Sequence, residues 1–165
     1  MGKRERKIGA WALGWVLVMS LAVPVSAIVW CHDYTLWRAT GADANNTSPA
    51  ELRARLGQLN FKRFPFTNAA RLPQAQGKLR PGDVVIFADA HSGVVNGQGL
   101  IDHFVQQSGA SGTRYAPEEV QKLDSLHRDW TLLDILDYKR IGPQGNEIFP
   151  YRDAVVEVWR PAGNR

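Results

Sequence analysis

Three residues in this chain have the types and order for acyl-transfer chemistry: Cys31, the only cysteine, then His91, then His103 twelve positions further on. A thiol that attacks a carbonyl needs a base for its proton and a third group to fix that base's tautomer, and two imidazoles can fill both roles. A single cysteine leaves other readings open, as a buried inert thiol or an intermolecular bridge, but it has no partner for an intramolecular disulfide. The local sequence around each of the three residues decides how seriously to take the first reading.

Cys31 to Ala39 can form a short helix, with Tyr34 and Trp37 three apart on one face and Gly41 ending it. A thiol in the first turn faces unpaired backbone N–H groups and the positive end of the helix dipole. This predicts a depressed pKa, alkylation near pH 6 faster than that of a free thiol, and a Cys31 N–H available to an oxyanion. A second helix is marked by Ser48-Pro49-Ala50-Glu51, a capping box with proline at the first position, and by Leu52, Leu56 and Leu59 along one side. Residues 60 to 79, with Pro65, Asn68, Pro73 and Gly77, read as a connecting loop.

Leu79-Arg80-Pro81-Gly82-Asp83 is a turn, and Val84 to Phe87 is an apolar strand of the kind buried on both faces. His91 opens the next strand, Asn96-Gly97 turns the chain, and His103 lies on the strand from Leu100 to Val105. Asn-Gly between apolar runs signals a hairpin, so the segment predicts an antiparallel meander with His91 and His103 within hydrogen-bond reach across strands. The elements together predict an α+β domain, with N-terminal helices carrying the thiol packed on a small antiparallel sheet.

The first 27 residues read differently. Lys3, Arg4, Arg6 and Lys7 precede an apolar run from Ile8 to Ala27, which is a signal peptide or an N-terminal membrane anchor. Val25-Ser26-Ala27 suits cleavage before Ile28, whereas the 20-residue run is also long enough to span roughly 30 Å as a retained anchor. Trp30 before Cys31 argues against a lipoprotein. Either way, residues 28–165 are expected outside the cytoplasmic membrane, periplasmic or extracellular, as one domain. The net charge of +4 falls to +1 without the first 27 residues, leaving 16 basic and 15 acidic groups. The loose cluster Lys62, Arg63, Arg71, Lys78 and Arg80 reads as a solvated loop, so no nucleic-acid partner is expected.

A helix-borne cysteine, then Leu-Arg-Pro-Gly-Asp-Val-Val-Ile-Phe at 79–87, then His-Ser-Gly-Val-Val-Asn-Gly at 91–97, then a histidine twelve beyond the first, resembles the NlpC-type papain-like cysteine peptidases. Asn46-Thr47-Ser48-Pro49 is similar to the segment before that family's second helix, and Tyr151-Arg152 with residues 154–160 to its closing segment and last strand. The resemblance implies a papain-like fold in which Cys31 is the nucleophile, His91 the general base and acid, and His103 the residue that orients His91. It also implies a peptidoglycan or related cell-wall peptide as substrate, with neither cofactor nor metal. Trp30-Cys31-His32-Asp33 departs from the family's Asp-Cys-Ser-Gly, and an upstream tyrosine-bearing segment is missing.

A helical insertion is expected at about 106–145, with an amphipathic helix from Pro117 to Leu126 and an apolar segment from Trp130 to Leu136. His32 is expected to point away from the site, His127 to lie on the surface, Asp89 in a loop, and Asp102 on the strand face opposite His103. Three alternatives stay open. Cys31, His91 and His103 could hold zinc, although only the adjacent Cys31-His32 lie close in sequence. The chain could be an inactive wall-binding or inhibitor module of the same fold, or a thiol acyltransferase in which an amine or hydroxyl intercepts the acyl-enzyme. The oligomeric state is not legible.

Overall fold

The computed structural model describes residues 30–64, 66, 73–105 and 113–163. The expected signal or anchor at 1–27, Pro65, Asn68 and Arg71 of the region after the second helix, and residues 106–112 of the expected insertion lie outside the described residues. Among the described residues no helix is long and apolar enough to cross a membrane.

Helix α1 (Cys31–Thr40) begins at an extended Trp30, whose backbone N–H donates to Asp33 Oδ2 at 3.1 Å. Asp33 Oδ1 also accepts from the Thr47 N–H at 2.7 Å, tying the returning loop to the start of the helix. Gly41 ends α1 at φ 69°, where its missing Cβ makes the left-handed turn inexpensive. Helix α2 (Pro49–Gln58) is capped by Ser48 Oγ, which accepts from the Glu51 N–H. Leu52 and Leu56 of α2 are buried, but Leu59, past its last turn, is exposed.

A six-stranded antiparallel sheet follows, in the order β1-β8-β2-β3-β4-β5. Its members are β1 (Phe61–Phe64), β2 (Val84–Phe87), β3 (His91–Val95), β4 (Ile101–Phe104), β5 (Leu126–Trp130) and β8 (Val156–Pro161). The expected meander is β2-β3-β4. The expected loop at 60–79 instead contains β1, paired with β8, and a single helical turn, α3 (Pro73–Gln76). The molecule is therefore a small α+β protein.

The sheet carries helices on both faces. Leu36, Leu52 and Leu56 of α1 and α2 pack on Val84, Ile86 and Val94. On the other face, Leu132, Ile135 and Leu136 of α5 (Leu132–Leu136) pack on Val85, Phe87, Val95, Ile101 and Val158. Strand alternation sorts β3 accordingly. Ser92 and Val94 face α1 and α2, whereas His91, Gly93 and Val95 face the other side.

The region expected as a helical insertion is part of this core. Its helix α4 (Pro117–Val120) stops well short of Leu126, and the chain goes on through turns in which Leu123 N–H and Leu126 N–H donate to carbonyls three residues back. Those turns put Val120 and Leu126 into one apolar cluster with Tyr34 and Phe104, a job the expected helix would have done. Leu126 then opens β5, which extends the sheet beyond β4, and α5 covers its face. A separate hairpin, β6 (Arg140–Ile141) with β7 (Glu147–Ile148), precedes the return to β8.

Candidate active site

The sheet brings His91 and His103 together by a diagonal route. Val94 pairs with Asp102 and Val95 with Ile101, so the position opposite His103 is Gly93, and His91 lies two residues further along on the same face. A Cβ at Gly93 would sit 3.0 Å from His103 Cβ and 2.6 Å from Ile101 Cγ2. The absent side chain is what lets the His103 ring lean across to His91. His91 Nε2 and His103 Nδ1 lie 2.7 Å apart, sharing one proton, with both residues buried. The two rings are nearly perpendicular, at 86°.

Cys31 occupies the first position of α1, half-buried, with its sulphur enclosed. The backbone N–H groups of Ser92, His32 and Cys31 itself reach the sulphur. The Tyr151 ring stacks on His91 at 4.8 Å, and its ionisation is opposed by burial and then by the Cys31 charge. The thiol is thus coupled electrostatically to the backbone of the residue after His91 and to the tyrosine stacked on His91. With His91 Nε2 engaged by His103, Nδ1 is the ring nitrogen of His91 outside that contact.

The electrostatics correct one expectation. Enclosure pushes the Cys31 thiol up to about 11, against the Ser92, His32 and Cys31 N–H groups, which lower it; the Asp33 charge adds to the rise. The helix terminus acts as expected, but it is outweighed by desolvation. Burial also holds His91 well below its ordinary range, helped by the neighbouring His103, and takes His103 down to about 3, with His127 contributing. Tyr151 is pushed up to about 12. The resting site is a neutral thiol beside two neutral imidazoles.

His32 turns to the face of β3 opposite His91, as expected, but it is not idle there. It is buried, with Nδ1 2.8 Å from Ser92 Oγ, and Ser92 Oγ in turn donates to Thr35 Oγ1 at 2.9 Å. This chain pins the first turn of α1, and with it Cys31, to the start of β3. Burial lowers the His32 pKa. His127 does not lie free on the surface either: it is half-buried, edge-on to His103 with ring centroids 5.1 Å apart. Asp89 is exposed in the turn before His91, where Arg53 bonds it at 2.7 Å and also reaches the Ala88 carbonyl. Asp102 turns away from His103, accepting instead from Asn96 Nδ2 and the Asp129 N–H.

Three site neighbours were not identified from sequence: Tyr151, His127 and Trp130, the last 4.8 Å from His103. Tyr151 carried a signal, as an aromatic just before the closing strand. His127 and Trp130 carried none, because their places depend on the pairing of β5 with β4.

Among the described residues, no group of three or more His, Cys, Asp or Glu side chains is placed to hold a metal ion. The nearest imidazole nitrogens point at each other rather than at a common centre. No family model, curated protein or solved structure matches the chain.

Proposed function

We propose that the chain is an exported cysteine hydrolase with a papain-like fold, similar to the NlpC type, that cuts amide bonds in peptidoglycan stem peptides. The observation that carries this reading is the buried His91 Nε2 to His103 Nδ1 contact of 2.7 Å, on the strand whose Ser92 backbone N–H lowers the pKa of the cysteine at the start of α1. Two buried imidazoles facing each other leave one nitrogen of His91 uncommitted, which is the arrangement a general base requires.

With neutral partners, proton transfer accompanies attack. The Cys31 sulphur bonds to the carbonyl carbon while its proton passes to His91 Nδ1, and the His91 imidazolium gives its Nε2 hydrogen bond to His103. Backbone N–H groups at the start of α1 are the donors nearest a developing oxyanion. Collapse breaks the C–N bond as His91 returns the proton to the leaving amine, and a thioester remains. Water then attacks, giving a proton to His91. The C–S bond breaks, Cys31 regains its proton and a carboxylate leaves.

Residues 1–27 supply the export signal or anchor in this reading, placing the domain where the wall is. The burial that raises the thiol favours the alternative of a wall-binding module that does not cut. Purified sacculi incubated with the protein and with Cys31→Ala separate the two. New peptide fragments by mass spectrometry from the native chain alone support the hydrolase. Fragments from neither, with both proteins retained on sacculi, support binding.

A further inference from the structure

His103 and His127 are register partners across β4 and β5, and their rings meet edge to face at 80°. Each ring has one buried nitrogen with no hydrogen-bond partner: Nε2 of His103 and Nδ1 of His127. Unpaired buried polar atoms are uncommon, and two on adjacent rings call for a joint account.

Proton counting supplies it. His91 can take a proton from Cys31 only if its Nδ1 is bare, so its own proton sits on Nε2 and is donated to His103 Nδ1. A neutral His103 that accepts at Nδ1 must carry its proton on Nε2, which makes one unpartnered atom a donor. A neutral His127 with its proton on Nε2 presents Nδ1 as an acceptor. The two unpartnered atoms are then complementary. Burial lowers the pKa of both residues, in keeping with one proton per ring. Trp130 lies 4.8 Å from His103 and 4.7 Å from His127, and Tyr138 stands 6.2 Å from His127.

Resting on the hydrolase reading above, we infer that His127 is a positioning residue: by rotation of its ring, Nδ1 takes a hydrogen bond from His103 Nε2–H. This holds His103 as an acceptor toward His91, and so keeps His91 in the tautomer that can deprotonate the thiol. With the His103 proton on Nδ1 instead, His103 would donate to His91 Nε2, and the His91 proton would move to Nδ1 and block the base. The line of histidines is thus three long, His91-His103-His127, and its last member is the one that reaches toward solvent.

Two readouts on the full chain test this. The first is the imidazole tautomer state from nitrogen-15 NMR, which needs no substrate. The second is kcat and KM on soluble stem-peptide fragments released from sacculi by a muramidase, measured for wild type, His127→Leu and His127→Asn, with melting temperatures recorded. The expected results are an Nε2-protonated His103 in wild type, mixed tautomers in His127→Leu, and a kcat about 10- to 100-fold lower with KM within about twofold. His127→Asn, whose side-chain oxygen can stand near the Nδ1 position, should recover most of the kcat. A wild-type His103 protonated on Nδ1 overturns the inference, as do equal losses from Leu and Asn at unchanged melting temperature. If His127→Leu fails to fold, the wild-type tautomer and His127→Asn still decide. A wild type that has the Nε2 proton but leaves the fragments intact overturns the hydrolase reading while upholding the hydrogen bond.

Discussion

Strand β2 has a buried polar cluster at each end, and the two are built on opposite terms. Before it, Asp83 is fully buried and every visible demand is met: Arg160 donates to both carboxylate oxygens at 2.8 and 2.7 Å, and the Arg80 N–H adds a third bond. Arg160 is completed by the Lys78 carbonyl and by the Phe64 ring under its guanidinium. After it, His91, His103 and His127 are neutral, packed against aromatic rings, and short of two hydrogen bonds. Full pairing suits a group whose job is to stay put. On the hydrolase reading, groups that exchange protons need spare valence, and the two unpartnered ring nitrogens lie at that end of β2.

The sharpest way to break this contrast is at the paired end. Asp83→Ala leaves the Arg160 charge half-enclosed without its partner, and urea unfolding should show a loss of about 3–5 kcal/mol. Activity per folded molecule should not change; a specific loss of turnover would mean that the two ends are coupled. At the site end, a thiol raised from 9.0 to about 11 should alkylate about 100-fold more slowly at neutral pH than one at its ordinary value. Rapid iodoacetamide labelling near pH 6 would restore the activated thiolate that the helix terminus alone suggests. Gly93→Ala should cost about 1–3 kcal/mol by forcing Ile101 and His103 apart, and it should lower turnover as His103 leaves His91. A variant as stable and active as wild type would show that the close approach is dispensable.

The pH dependence of stability tests the site end in a different way. His91 and His103 titrate near 6.5 when unfolded but lower when folded, so the unfolded chain binds more protons as pH falls. Stability should be level above about pH 7 and should decline from pH 6.5 toward about 3, by up to about 1.4 kcal/mol per pH unit for each histidine. Replacing His103 with Asn should flatten that decline, and an unchanged slope would place the proton uptake elsewhere.

Local signals made much of this architecture legible. The Ser48 cap, the Gly41 stop and the Asn96-Gly97 turn each act within a few residues, and α1, α2 and the β2-β3-β4 meander follow from them. Strand β1 is a four-residue Phe-Lys-Arg-Phe with charged residues at its centre, and it exists because β8, nearly a hundred residues away, supplies its hydrogen bonds. Strand β5 likewise depends on β4, which is why His127 read as surface and Pro117–Leu126 as helix. The thiol followed the same rule. Its helix terminus is a local property, whereas the burial that overrides it depends on how the rest of the chain packs around α1.

The position of β8 has a consequence for the order of assembly. The strand made last is not added at an edge but slots between β1 and β2, and it also brings Arg160 to Asp83 and Glu157 to Arg53. A nascent chain can close the β2-β3-β4 meander by short loops, yet β1 waits without a partner, and Asp83 without its counter-charge, until residues 156–161 arrive. A chain truncated before Val156 would carry Cys31, His91 and His103 but not the strand that locks their sheet together, so incomplete copies should be cleared as unfolded rather than accumulate with a half-built sheet.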